Sequence, residues 1–340
     1  MFLTDFAADG WTTALRSYQG YLHLVPRAVV GVAASVAPLE LFAATLTALT
    51  CAVAGACAAI TFLATRGVLT HTAPRIVLAT IPVAAPLLPV EVLGNAANLH
   101  WFGLWLAPWT MLYRPRRWSV SVALALTVLA AALTEIQVVV FLPLMTLTWR
   151  RRMSAPVNAA LVLGVAAQVV TTVVYPRRSR PPGLRLTFMD LVDSTLAQAV
   201  LGAHTADMPA VAESLSRHGM LAGWLGLVPF VCAGMVALWM GIRHLPAGAR
   251  RRRWLAALTV CALAAAGLLA AAAIMNPDPR FAMNSSDPQD WPGFLFSRYA
   301  VVPGMFLLAV PALTADALLA RRPANRSTRH LGPSAIHITR

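Results

Sequence analysis

The sequence predicts an all-α fold, a polytopic transmembrane helix bundle of nine spans with an interfacial or re-entrant helix near the N-terminus. Three observations predict it. The 340 residues are 58% hydrophobic and only 12% charged, with mean hydropathy +0.67, whereas a soluble domain is nearer a quarter charged. Apolar stretches of about 20 residues, long enough to cross roughly 30 Å of hydrocarbon as a helix, recur along the chain. The 27 basic residues, every one an arginine, cluster between those stretches. A net charge of +14 would suggest nucleic acid in a polar chain; in this apolar one no nucleic-acid partner is expected, and membrane lipids are. The composition also excludes a disordered or disulfide-stapled protein.

Taken in order, Leu39–Ala64 is the first clear span. Ile76–Leu93 follows, bent by Pro82, Pro86 and Pro89, and then Leu99–Tyr113. The run Ser119–Thr148 is interrupted only by Glu135. As one helix it would reach about 45 Å, longer than a bilayer needs. Split at Glu135 into two short passes, it returns Arg114, Arg116 and Arg117 to the same side as Arg150, Arg151 and Arg152, which the positive-inside rule prefers. Val157–Tyr175, Met220–Ile242, Trp254–Met275 and Ala300–Leu319 complete the nine. The short apolar segment Ala28–Ala37, beside Tyr18 and Tyr21, reads as the interfacial or re-entrant helix. Residues 1–320 form a single transmembrane domain, and 321–340 a basic tail expected to be poorly ordered.

In this topology Arg66, Arg75, both clusters just named, Arg243, Arg250 to Arg253 and the tail arginines all face the cytoplasm, 18 of the 27. The rule then puts the C-terminus inside and residues 1–38 outside. The larger outer loops are 176–219 and 276–298, and Arg177, Arg178, Arg180 and Arg185 in the first of them are the exception. An external N-terminal segment without a basic, apolar leader suggests that an upstream span is missing from the start of the reading frame. Cys51, Cys57, Cys232 and Cys261 sit in apolar runs and read as small hydrophobes. No internal repeat of the kind that marks secondary transporters is visible.

Twelve of the thirteen acids fall outside or at outer helix ends, with only Asp316 towards the inside. Acids contribute little to orientation, so this bias points any acid–base chemistry outward. Asp190, Asp193, Asp207 and Glu213 read as solvated loop residues. Three outer clusters stand out. The first holds Asp5, Asp9 and Trp11, then YQGYLHLVPR with Tyr18, Tyr21, His23 and Arg27. The second is EVLGNAANLHW, with Glu91, Asn95, Asn98, His100 and Trp101; Gly94 and Asn95 suit a tight turn, yet the concentration of polar groups at a helix end is also a candidate for function. The third is DPQDWPGFLFSRYAVVP, in which Arg298 and Tyr299 open the last span and Arg298 can snorkel or grip a phosphate. Glu135, at the hairpin tip, can join any of them. Phosphate-binding loops, HExxH and GxSxG are absent from the sequence.

The segments WTTALRSYQGYLHLVPR, EVLGNAANLHW and RYAVVP resemble those of a family of actinobacterial multi-pass membrane proteins. That family in turn looks like a distant branch of the GT-C glycosyltransferases, polytopic enzymes that use polyprenyl-phosphate sugars. The resemblance covers most of the chain. It implies a GT-C-like bundle that transfers a sugar from a polyprenyl-phosphate donor at the outer face, with no cofactor assigned and any divalent-metal need open. On that resemblance Asp9 or Asp5 is the catalytic base and Arg298 the phosphate contact. Glu91, Asn98 and His100 line the acceptor or sugar side. Tyr299, Tyr21, His23, Arg27, Asn95, Trp101 and Glu135 complete the substrate-binding set. The acids are spaced TDFAADGW rather than as a tight pair, which departs from the GT-C pattern. An envelope lipid or precursor transporter, or a non-catalytic membrane assembly partner, are the competing readings.

Overall fold

The apolar runs fold into helices nearly throughout. The computed structural model describes residues 1–176, 185–276, 278–295 and 297–321; Arg177, Arg178, Arg180 and all but the first residue of the basic tail lie outside them. In chain order the helices are α1 (Phe2–Asp9), α2 (Leu24–Val36), α3 (Leu39–Ala64), α4 (Thr72–Ala84), α5 (Leu88–Glu91), α6 (His100–Leu112), α7 (Trp118–Ala132), a 3-10 segment Ile136–Leu147 and α8 (Ala155–Val174). Then α9 (Phe188–Ser194) runs through a π-helical turn (Thr195–Val200) into α10 (Leu201–His204). They are followed by α11 (Met208–His218), α12 (Leu221–His244), α13 (Ala249–Met275), α14 (Trp291–Phe294) and α15 (Ser297–Ala320).

Among the described residues, six helical stretches are long and apolar enough to cross a membrane: Leu39–Gly67, Thr72–Glu91, Arg152–Val174, Leu221–His244, Ala249–Met275 and Arg298–Ala320. This corrects the expectation of nine spans. The other three expected spans are α6, α7 and the 3-10 segment, of 13, 15 and 12 residues. At 1.5 Å per residue α6 and α7 reach only about 20 and 22 Å, and the 3-10 segment about 24 Å. The causes are local. Tyr113 leaves α6 in extended conformation two residues before Pro115. The Glu135 carboxylate accepts from the Gln137 N–H and starts a new helix at the expected break. Pro143 inside that segment removes a further backbone donor.

Helix α15 is the central column. It packs against α4, α6, α12 and α13, and its apolar window is 78% buried, against 22% for α12. Phe306 on α15 stacks with Trp105 of α6 at 5.1 Å, and the Trp105 indole N–H donates to Thr61 Oγ1 of α3. The outer face of α12 instead exposes Leu225, Val228, Val231, Met235, Leu238 and Trp239. A contiguous apolar strip of that size is unfavourable in water and belongs against lipid.

The helix ends sort by charge. Arg66, Arg114, Arg116, Arg151, Arg152 and Arg253 gather around one cavity, so arginine clusters from four connections share one end of the bundle, as expected. Asp316 belongs to that end. Fully buried on α15, it accepts from the Thr70 and His71 backbone N–H groups and lies 2.9 Å from His71 Nδ1, which fixes the start of α4.

Candidate functional site at the aromatic end

The opposite end is built from five segments. The N-terminal one folds back through Tyr18–Gln19–Gly20–Tyr21, where reciprocal Tyr18–Tyr21 backbone bonds of 2.8 and 3.1 Å close a two-residue turn. Gln19 and Gly20 both have positive φ, 53° and 89°, which that turn requires. The chain is then stapled to the bundle. Gln168 of α8, fully buried, accepts from the Leu22 N–H at 2.8 Å and donates to the Leu22 carbonyl at 3.1 Å. Leu24 and Val25 N–H groups donate to the Leu133 carbonyl and to Thr134 Oγ1.

This staple seats His23, only 2% exposed, in a ring of aromatic neighbours. Tyr21, Tyr18 and Phe2 lie 4.6, 5.2 and 5.9 Å away between centroids, and His100 lies at 5.4 Å. From His100 the stack continues to Trp101 at 4.0 Å, Tyr299 at 5.8 Å and Phe281 at 5.5 Å. The Arg298 guanidinium sits 5.2 Å over the Tyr299 ring. Phe281 is placed by its own loop: the Ser194 hydroxyl donates to its carbonyl, and Ser285 donates twice to Asp190. Asp190 and Asp193 are therefore buried, which corrects their reading as solvated residues. Asp207 caps α11, and Glu213 pairs with Arg217 on the surface.

Glu135, 4% exposed, faces His100 across this stack, with Oε2 3.8 Å from Nε2. That distance exceeds a hydrogen bond, and the two groups are not an ion pair. Burial, opposed in part by the Gln137 N–H, pushes the Glu135 carboxyl up to about 7. Burial pushes the His100 imidazole down to about 4, against the Ala97 carbonyl that favours its protonation and with Arg298 lowering it further. His23 falls to about 3, by burial first and then by His100 and Arg27. All three groups lie outside the six long spans. A pair of neutral imidazoles therefore faces a carboxyl that exchanges its proton near neutral pH.

The sequence-predicted residues divide clearly. Tyr21, His23, His100, Trp101, Glu135, Arg298 and Tyr299 come together. Arg27, nearly fully buried, joins them through His23, with one guanidinium nitrogen bonded to Asp5 at 3.0 Å and its plane 4.8 Å over Phe2. Asp5 is thereby committed as the Arg27 partner. Asn98 supports the turn by donating to the Glu91 carbonyl, and Asn95 caps it by accepting from the Ala97 N–H. Asp9 is on the surface, 2.6 Å from Arg16, with both side chains nearly half exposed. Sequence reasoning missed Phe2, Gln137, Phe281 and Arg280. Arg280 makes a bidentate pair with Asp278, and Glu91 and Tyr299 lie within its field. The PRF triplet after Asp278 was its one available signal.

Among the described residues, six buried polar atoms at this end have no hydrogen-bond partner: His23 Nδ1, Arg27 Nε and Nη2, Glu91 Oε2, Trp101 Nε1 and Gln137 Oε1. Groups of this kind usually find partners, and their concentration at one place is what a site for a polar ligand looks like. No three His, Cys, Asp or Glu side chains among the described residues gather to hold a metal ion. No protein-family model matches the chain, and neither a curated protein nor a solved structure is measurably similar to it.

Proposed function

We propose that this protein is a GT-C-like membrane glycosyltransferase. It takes a sugar from a polyprenyl-phosphate donor at the outer face of a bacterial plasma membrane, and the arginine end lies in the cytoplasm. One observation carries the reading: residues from five segments, with six unpartnered buried polar atoms among them, converge at the acid-bearing end of the bundle.

The chemistry follows from the groups present. Glu135 is the base, since a carboxyl near 7 suits proton transfer at neutral pH. It takes the proton of an acceptor hydroxyl, whose oxygen attacks the anomeric carbon. The bond from that carbon to the phosphate oxygen breaks with its electron pair, and polyprenyl phosphate leaves. Asp5 and Asp9 do not take this role, because each already holds an arginine. Arg298 meets the leaving phosphate with its fork of donors, and the half-buried Tyr299 ring, backed by Trp101 and Phe281, packs against the sugar. An apolar cavity of about 710 Å³ between α9, α12, α13 and α15 gives a prenyl chain a place lower on the same α15 that carries Arg298.

The test is genetic and chemical. A deletion strain is expected to lose an envelope glycan and to accumulate a polyprenyl-phosphate sugar. The wild-type gene is expected to restore both, and Glu135→Gln neither, at equal membrane abundance. Unchanged envelope glycans and lipid-linked sugars in the deletion strain would refute the proposal.

A further inference from the structure

The arginine end carries a second site of different chemistry. Its cavity, about 820 Å³, is walled by Arg66, Arg114, Arg116, Arg151, Arg152 and Arg253, and among the described residues no acidic side chain lines it. These six come from four connections: α3–α4, α6–α7, the entry to α8 and the start of α13. The positive-inside rule explains why arginines lie on this side of a membrane. It does not explain why six of them turn towards one walled space, where like charges raise the energy of the folded state.

The walls are built to hold that arrangement. Arg253 is 91% buried, and its guanidinium donates to the backbone carbonyls of Ala249 and Leu112, at 3.2 and 3.4 Å. Gly67 lets the α3–α4 connection close against it: a Cβ there would stand 3.0 Å from the Leu112 carbonyl oxygen and 3.2 Å from Arg253 Nη1. Two donors in the lining are buried and without a partner among the described residues, Arg114 Nε and the Ser154 hydroxyl, and Ser154 is 97% buried. Burial lowers the Arg114 guanidinium, and Arg151 and Arg252 lower it further, so the repulsion is felt inside the site. Asp316, the acid of this end, is taken by Thr70 and His71.

We propose that this cavity binds a phosphoryl group carrying at least two negative charges, held by the guanidinium forks and the Ser154 hydroxyl. Guanidinium donors match phosphate oxygens bidentately, and basic pockets between membrane helices on this side suit phosphorylated headgroups. The same chemistry can be presented by an anionic lipid or by a free diphosphate. The site stands at the opposite end from the aromatic cluster and is independent of the glycosyltransferase reading.

Two arms separate the sources. Full-length protein in phosphatidylcholine nanodiscs is titrated with inorganic pyrophosphate by calorimetry. Protein released from nanodiscs of phosphatidylcholine with about one tenth cardiolipin is examined for retained lipid by native mass spectrometry. Binding in the first arm alone identifies a free diphosphate, in the second alone a lipid headgroup, and either supports the site. Arg114→Gln/Arg253→Gln is expected to weaken binding at least tenfold. Arg116→Gln/Arg152→Gln, at exposed positions that do not threaten folding, is expected to weaken it severalfold. Arg243→Gln/Arg321→Gln removes the same charge from the same end outside the cavity and is expected to leave binding unchanged. Binding in neither arm, or equal loss in that control and the cavity variants, overturns the proposal.

Discussion

The two ends of this bundle handle charge in opposite ways. Among the described residues, the aromatic end sets cations beside carboxylates, as in Asp5 with Arg27, Asp9 with Arg16 and Asp278 with Arg280. Beside these pairs His23 and His100 are neutral and the Glu135 carboxyl is poised to lose a proton. At the other end six guanidiniums face one another across a cavity without an acid in its lining. The difference teaches that a membrane topology signal and a ligand site can be written with the same residue type. What separates them is whether the arginines dissolve outward or turn inward around a wall.

The comparison breaks most visibly at Asp316, the acid that belongs to the arginine end. Asp316→Ala would remove the carboxylate that holds two part-buried N–H donors and the His71 ring, and two charge-assisted hydrogen bonds lost together cost about 3–5 kcal/mol. We expect the largest fall in thermal midpoint of these variants, read in detergent by tryptophan fluorescence.

Glu135 sharpens the contrast through pH. Its carboxyl is raised from an unfolded value near 4.5 to about 7, so the native state binds the proton more tightly than the unfolded one. Its protonated form is favoured in the fold, and that stability, about 3 kcal/mol in full, is present below pH 4.5 and lost as pH rises towards 7. Glu135→Gln is expected to flatten the fall in midpoint between pH 5 and pH 8; an unchanged slope would remove Glu135 as its source.

Gln168→Leu removes both bonds to Leu22 and should cost about 2 kcal/mol. Its specific consequence is release of the N-terminal segment, read as faster trypsin cleavage at Arg16. The smallest effect is expected at Asp9→Asn. An exposed pair contributes under about 1 kcal/mol, so the midpoint should hardly move.

The sequence was legible wherever apolar length and arginine placement decide the outcome. All six long helices coincide with expected spans, and the break at Glu135 falls where charge sorting demands it. It was not legible at α6, α7 and the 3-10 segment, because hydropathy measures burial and not whether lipid or protein does the burying. Every residue of α6 except Gly103 is buried, so its apolar run reflects packing against neighbouring helices. At the candidate site, the polar and aromatic motif residues were visible as three clusters; part of each meets, while Asp9 stays on the surface with Arg16. The role of each acid was not visible, since it depends on which arginine stands beside it. Arg27 lies 22 residues from Asp5 in sequence, and no local pattern reveals that pairing. Nor could spacing show that Arg66, Arg114 and Arg253 share one wall.

The proposed role of Glu135, rather than Asp5 or Asp9, in moving the proton is tested directly by sugar transfer. Sugar transfer from a synthetic polyprenyl-phosphate donor is measured in proteoliposomes with wild type, Glu135→Gln and Asp9→Asn. Glu135→Gln is expected to lose about a hundredfold or more, and Asp9→Asn to keep activity within about twofold of wild type. Full activity in Glu135→Gln, or its abolition by Asp9→Asn, would contradict that role.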